Sequence, residues 1–135
     1  MKNFDIQGID LNVSKSEAFM FIAEPNNLPK WTTAFVSMSQ GKAIMQTPEG
    51  EVEIELEVQA SAEYGTVDWR MIFPDHSVAT AFSRVVEADK DRCVYGFILM
   101  PPPVPLEEIE GTLQAQSQIL EKELRKLKGL LEDNG

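Results

Sequence analysis

Polar and apolar residues alternate without error over "EVEIELEV", residues 51–58, where Val52, Ile54, Leu56 and Val58 face one way and four glutamates the other. A period of two marks a strand with one buried and one wet face. The same texture, broken by turn residues, fills the middle of the chain. "VSMS-QG-KAIM" carries a two-residue Gln40-Gly41 turn and "QTP-EG-EVE" a Glu49-Gly50 turn, with longer turns at "ASAEYG", "PDHS" and "EADKDR". This predicts six consecutive antiparallel strands near residues 34–39, 42–47, 51–60, 65–73, 78–87 and 92–100.

Ahead of them, "NFDIQGIDLNV" places Phe4 and Ile6 on one parity and Ile9, Leu11 and Val13 on the other. Gly8 stands where the parity changes, which predicts a first strand with a β-bulge or sharp bend there. Ser14 has N-cap chemistry and Glu17 completes a capping box, so a helix over "KSEAFMFIAE" follows and stops before Pro25. "PNNLPKW" is proline-broken and predicts a helical turn. Beyond "PPPVP" the period changes to that of a helix. Leu106, Ile109, Leu113, Gln116, Leu120, Leu124, Leu127 and Leu131 recur at three and four over about 106–132, a seam that buries one face. Glu121 and Arg125 take ion-pair spacing on its wet side. A coiled coil would use the same seam, but it spans fewer than four heptads and follows a sheet that needs a cover.

The turns also predict registers. Glu49-Gly50 sets Met45 opposite Ile54, and Gln40-Gly41 sets Val36 opposite Met45. Leu56 then faces Trp69, Trp69 faces Phe82, and Phe82 faces Phe97. Met71 aligns with Ile54 and Thr80, and Val67, Arg84 and Tyr95 share a row. In this pairing Thr80, Phe82 and Arg84 point into the apolar side, where a one-residue slip would reverse them.

At 135 residues the chain is expected to form one domain, residues 1–135, with an ordinary apolar fraction of 43%. Its net charge of −10 repels polyanions, which sets nucleic acid aside as a partner. No apolar run has the length of a membrane span and the first residues lack a signal-peptide core, so no membrane insertion is expected. The lone Cys93 has no partner for an internal disulfide, which suits a reducing compartment and points to the cytoplasm. One histidine and one cysteine are too few for a zinc site. His76, in a turn, reads as solvent-exposed. The glycines punctuate hairpins and form no phosphate loop, so no metal and no cofactor is expected.

Strand, two short helices, six antiparallel strands and a long C-terminal helix resemble the helix-grip fold of the START/Bet v 1-like superfamily (SRPBCC), which includes polyketide cyclase and lipid-transport members. "IAEPNNLPKW", "GTVDWRMIFPDHS", "FSRVV" and "LEKELRKLKGLLE" are similar to its inter-helix segment, central hairpin and closing helix. The resemblance spans nearly the whole chain and implies an α+β fold. A curved antiparallel sheet of about seven strands would wrap the C-terminal helix, with a cavity between them in many members.

The concave face inferred on this basis has Met45, Ile54, Leu56, Trp69, Met71, Phe82, Tyr95 and Phe97 as apolar lining, either simple core or the wall of a ligand cavity. Its polar exceptions are Arg84, Tyr95, Thr80 and Gln116. Arg84 with Tyr95 would bind a carboxylate, phenolate or enolate oxygen, or Arg84 would pair with a carboxylate or the terminal carbonyls of the closing helix. Gln116 interrupts a leucine seam, as a cavity donor or as a residue at a wetter end. Trp31 is expected at the cavity mouth or as a plug of the barrel end.

Three functions follow from the resemblance: a carrier or sensor of a small hydrophobic, aromatic or lipid-like molecule; a polyketide cyclase/dehydratase-like enzyme; and an Hsp90-activator-like interaction module. General acid–base chemistry wants His, Glu or Asp in the site, and the inferred face offers none, which favours binding. No catalytic residue is assigned, and the protein is expected to act as a monomer or weak homodimer.

Overall fold

The alternating segments assemble into one antiparallel sheet in the computed structural model, which describes residues 4–47, 50–100 and 106–133, though not the side chains of 47 and 106–113. β1 (Asp5–Leu11) is followed by α1 (Lys15–Ala23), a 3₁₀ turn (Pro25–Asn27) and α2 (Leu28–Trp31). β2 (Phe35–Ser39), β3 (Lys42–Thr47), β4 (Gly50–Ser61), β5 (Thr66–Ile72), β6 (Val78–Asp89) and β7 (Arg92–Leu99) lead to α3 (Leu106–Asp133). The seven strands lie in the order β1-β7-β6-β5-β4-β3-β2. This is the helix-grip α+β architecture.

Turn chemistry decides the registers. Gln40 and Gly41 both have positive φ, +50° and +80°, and join Ser39 to Lys42 in a tight turn as expected. Farther along, a bulge between Phe35 and Ser37 pairs Phe35, not Val36, with Met45 and leaves Val36 exposed. The expected Glu49-Gly50 turn falls partly on Pro48 and Glu49, outside the described residues. Its ladder closes at Thr47–Gly50, so Ile54 faces Ala43 and Met45 faces Val52. Gly65 belongs to the next turn rather than to a strand. Its φ is +73°, its N–H donates to Ser61 O at 2.7 Å, and Leu56 consequently faces Met71 while Val58 faces Trp69. Both ladders differ from expectation by two residues, which leaves every side chain on its predicted face.

The β5–β6 hairpin differs by one, and that reverses a strand. Phe73 O accepts the His76 N–H and Ser77 O accepts the Phe73 N–H, both at 2.9 Å. His76 takes the left-handed conformation, φ +70°, and the Asp75 carboxylate holds Ser77 N–H and Oγ at 3.0 and 2.6 Å. This is a three-residue loop with a bulge at its end, one residue shorter than a four-residue "PDHS" turn because Ser77 bonds back to Phe73. Ile72 therefore pairs with Val78 and Trp69 with Ala81. Thr80, Phe82 and Arg84 go to the convex face, while Ala81, Ser83 and Val85 go inside. A second bulge between Glu87 and Asp89 restores the phase, so Tyr95 and Phe97 point inward as expected, and Cys93 is buried with them.

β1 pairs with β7 without interruption from Asp5–Leu99 to Leu11–Cys93, so Gly8 marks no bulge. Phe4 and Ile6 are therefore on the convex side and exposed. The matching concave positions are polar because they fasten α3. Asp5 Oδ2 accepts from Ser117 Oγ at 2.6 Å and from Gln7 Nε2 at 2.8 Å, and Gln7 Nε2 also reaches Ser117 O at 2.8 Å. At the other end of β1, Lys128 Nζ donates to Asp10 O and Glu132 Oε2, both at 2.7 Å, and Glu132 Oε2 accepts the Asn12 N–H at 2.9 Å.

Between these ties Leu120, Leu124, Leu127 and Leu131 are buried, each contributing about 1.5–3 kcal/mol of transfer free energy. Leu106, Ile109 and Leu113 lie outside the described side chains. Ser14 Oγ accepts the Glu17 N–H at 3.1 Å and caps α1, which buries Ala18 and Ile22 four residues apart. Leu28 and Trp31 of α2 complete the core.

Candidate functional site

Four aromatic rings meet under α3. Trp69 on β5 and Tyr95 and Phe97 on β7 stand on the concave face because each shares the parity of its strand's buried residues. Trp31 arrives from α2. Its ring centroid lies 6.4 Å from Trp69 and 6.3 Å from Tyr95, the latter edge-on at 82°. Trp69 stacks on Phe97 at 6.0 Å, and Tyr95 meets Phe97 edge-on at 6.4 Å. Such offset and edge-on pairs are favourable beyond the area they bury.

Polar atoms in this cluster are unsatisfied. Trp31 Nε1, Trp69 Nε1 and Tyr95 Oη are all buried without a hydrogen-bond partner. Buried indole and phenol groups ordinarily find one, since an orphaned donor costs about 1–3 kcal/mol. Ser83 pairs with Phe97, two positions along the β6–β7 ladder from the Val85–Tyr95 pair, and its hydroxyl donates to Val67 O at 2.6 Å. Burial pushes the Tyr95 phenol well above its usual range; the neighbouring Ser83 hydroxyl opposes that shift, and the Asp68 charge adds to it.

The expected lining residues separate into three groups. Trp31, Leu56, Trp69, Met71, Tyr95 and Phe97 belong to the main core cluster, Met71 only partly buried. Trp31 is 2% exposed, so it lies inside and not at a solvent-facing mouth. Ile54 is buried and Met45 half-buried on the same face, apart from that cluster. Gln116 is half-buried on α3.

Thr80, Phe82 and Arg84 are corrections. They face outward on β6 for the reason given by the His76 loop. Arg84 is exposed, pairs across the ladders with Gly96 and Thr66, and donates from Nε to Tyr64 O at 2.9 Å. Arg70 on the same convex side lies 3.7 Å from Glu57.

Two inward groups escape a reading by strand alternation. Ser83 and Val85 were hidden because "ATAFSRVV" carries apolar residues on both parities. Glu123 is the other. It sits three residues after Leu120 and four before Leu127, on the flank of the buried seam, a spacing that could have located it. Its Oε2 accepts the Thr33 N–H where α2 leads into β2, and burial raises its carboxyl pKa, partly opposed by that hydrogen bond and by Lys126. Among the described residues, no group of three or more His, Cys, Asp or Glu is placed to hold a metal ion.

No protein-family model matches the sequence, and no curated protein matches it. Solved structures do match over its full extent. A START superfamily protein from Mycobacterium smegmatis aligns over 99% of this chain and 100% of its own, with TM-score 0.74 and 11% identity. The Zhui aromatase/cyclase from Streptomyces sp. R1128 aligns over 96% and 93%, with TM-score 0.66 and 8% identity. The di-domain aromatase/cyclase BexL of the BE-7585A biosynthetic pathway aligns over 97% of this chain and 47% of its own, with TM-score 0.70 and 13% identity. At these identities the likeness establishes the helix-grip fold alone and leaves function to the residues. No helix among the described residues is long and apolar enough to cross a membrane.

Proposed function

We propose that this protein binds a small hydrophobic molecule, aromatic or lipid-like, between the sheet and α3, as a carrier or sensor. The observation that supports it is the ring cluster of Trp31, Trp69, Tyr95 and Phe97 with its unsatisfied polar atoms, at the position that the fold places under the closing helix. A site of this kind is mostly apolar with a few polar atoms for orientation. Binding is favoured over the cyclase-like alternative by the chemistry of the cluster. Its titratable member is Tyr95, whose phenol is held protonated by burial and so is suited to donating a hydrogen bond rather than exchanging protons at neutral pH. The free, buried Cys93 agrees with a reducing compartment, and we place the protein in the cytoplasm.

The test uses the two tryptophans, both of which are in the cluster. N-phenyl-1-naphthylamine, a neutral fluorescent probe, should be taken up saturably at one site, with energy transfer from tryptophan. Native mass spectrometry of protein purified from its source should show a bound small molecule. Absence of both saturable uptake and added mass would remove this reading.

A further inference from the structure

We infer that the ligand is a neutral, planar apolar molecule bearing acceptor oxygens of the carbonyl type, recognised by Trp31 Nε1, Trp69 Nε1 and Tyr95 Oη. This rests on the reading that the interior binds a small molecule, and it adds the ligand's chemistry.

Three unpartnered donors in one cluster of touching rings are the basis. Relative exposures of 2% for Trp31, 3% for Trp69 and 0% for Tyr95 put all three out of reach of bulk water. Native interiors satisfy nearly all such atoms, so three together call for a partner that the chain itself does not supply. An indole N–H only donates, and the phenol, which burial keeps protonated, donates as well. The complement of three donors is an acceptor. Ser83, the hydroxyl nearest to Tyr95, donates to Val67 O and offers nothing to the two indole N–H groups.

Charge narrows the class further. A carboxylate or phosphate drawn into this interior would lose its hydration and need a cation there. Arg84, the cation that alternation alone would have put on this face, is outside and exposed, bonded to Tyr64 O. Lys128 is tied to Asp10 and Glu132 at the far end of β1. The chain as a whole carries net charge −10, which opposes an anion again. A ketone, quinone or ether oxygen accepts the same hydrogen bonds without that penalty. The ring faces of Trp69 and Phe97, stacked at 27° between planes, favour a flat molecule beside them.

The experiment compares 9-fluorenone with fluorene, which share shape and differ in a carbonyl, and with fluorene-9-carboxylate. Affinities come from quenching of tryptophan emission, and the fluorenone carbonyl stretch is followed by infrared difference spectroscopy. Fluorenone should bind about tenfold more tightly than fluorene, and its carbonyl stretch should move to lower frequency on binding. The carboxylate should bind more weakly than either. At least one of Trp31→Phe, Trp69→Phe and Tyr95→Phe should bring the fluorenone-to-fluorene affinity ratio toward one. Equal affinities, an unshifted carbonyl or preference for the carboxylate would overturn the donor assignment, while saturable fluorene uptake would leave the hydrophobic-ligand reading standing. No saturable uptake of any of the three would overturn both.

Discussion

Removing the Tyr95 hydroxyl should make the ligand-free protein more stable. Tyr95 is fully buried and its Oη has no partner, so the folded state carries the desolvation cost of that group, about 1–3 kcal/mol. Tyr95→Phe removes the cost and keeps the ring with its contacts to Trp31 and Phe97. What is lost is the packing of one oxygen, a residual cavity worth about 0.3 kcal/mol. The expected net gain is about 0.5–2.5 kcal/mol, with each kcal/mol worth about 3–4 °C in Tm at this chain length. Urea unfolding of refolded, ligand-free protein measures it, with an unchanged slope against denaturant as the sign that only stability moved. Ser83→Ala is the contrast from the adjoining strand. Its hydroxyl is bonded to Val67 O, so its removal should cost about 0.5–1.5 kcal/mol. The double mutant should be additive within about 0.5 kcal/mol. A Tyr95→Phe variant that loses 1 kcal/mol or so, with clear coupling to Ser83→Ala, would mean the phenol is bonded to Ser83 and the orphaned-donor reasoning is wrong.

Gly65→Ala should destabilise by at least about 2 kcal/mol, since φ is +73° and a Cβ would come within 2.1 Å of Val85 O; calorimetry would detect the loss. Arg84→Met should change stability by no more than about 0.5 kcal/mol and leave probe uptake intact, because the side chain is exposed on the convex face; a large drop in uptake would restore it to the interior. Glu123 contributes in the opposite sense to a salt-bridged acid. Its pKa is raised in the fold, so above the usual carboxylate range the native state holds a proton that the unfolded chain releases, and stability falls as pH rises through that window. Glu123→Gln keeps an acceptor for the Thr33 N–H without the charge. It should melt higher than the parent near pH 8, with the difference closing toward about pH 4; a variant less stable near pH 8 would show that the ionised carboxylate is needed.

Alternation and spacing were sufficient for the element order, the strand extents within two or so residues, the buried leucines of α3 from Leu120 to Leu131 and the inward parity of β4, β5 and β7. These follow from periods of two and 3.6 that each residue expresses locally. Turn lengths carry different information, because a hairpin's register is set by backbone conformation rather than by polarity. Two-residue errors at Gly50 and Gly65 did no harm to the faces. A single left-handed residue, His76, reversed β6, exchanging Arg84 and Phe82 for Ser83 and Val85 in the interior. Nothing in "PDHSVATAFSRVV" distinguishes the two phases, since both faces of that strand carry apolar side chains. Nor did Gly8 announce that Asp5 and Gln7 would face inward; Ser117, 110 residues beyond Gln7 in sequence, supplies the hydrogen bonds that make that orientation affordable. The ring cluster with its three unsatisfied donors likewise exists only in three dimensions. Trp31, Trp69 and Tyr95 come from α2, β5 and β7, and whether a buried N–H or O–H has a partner depends on what the fold brings to it.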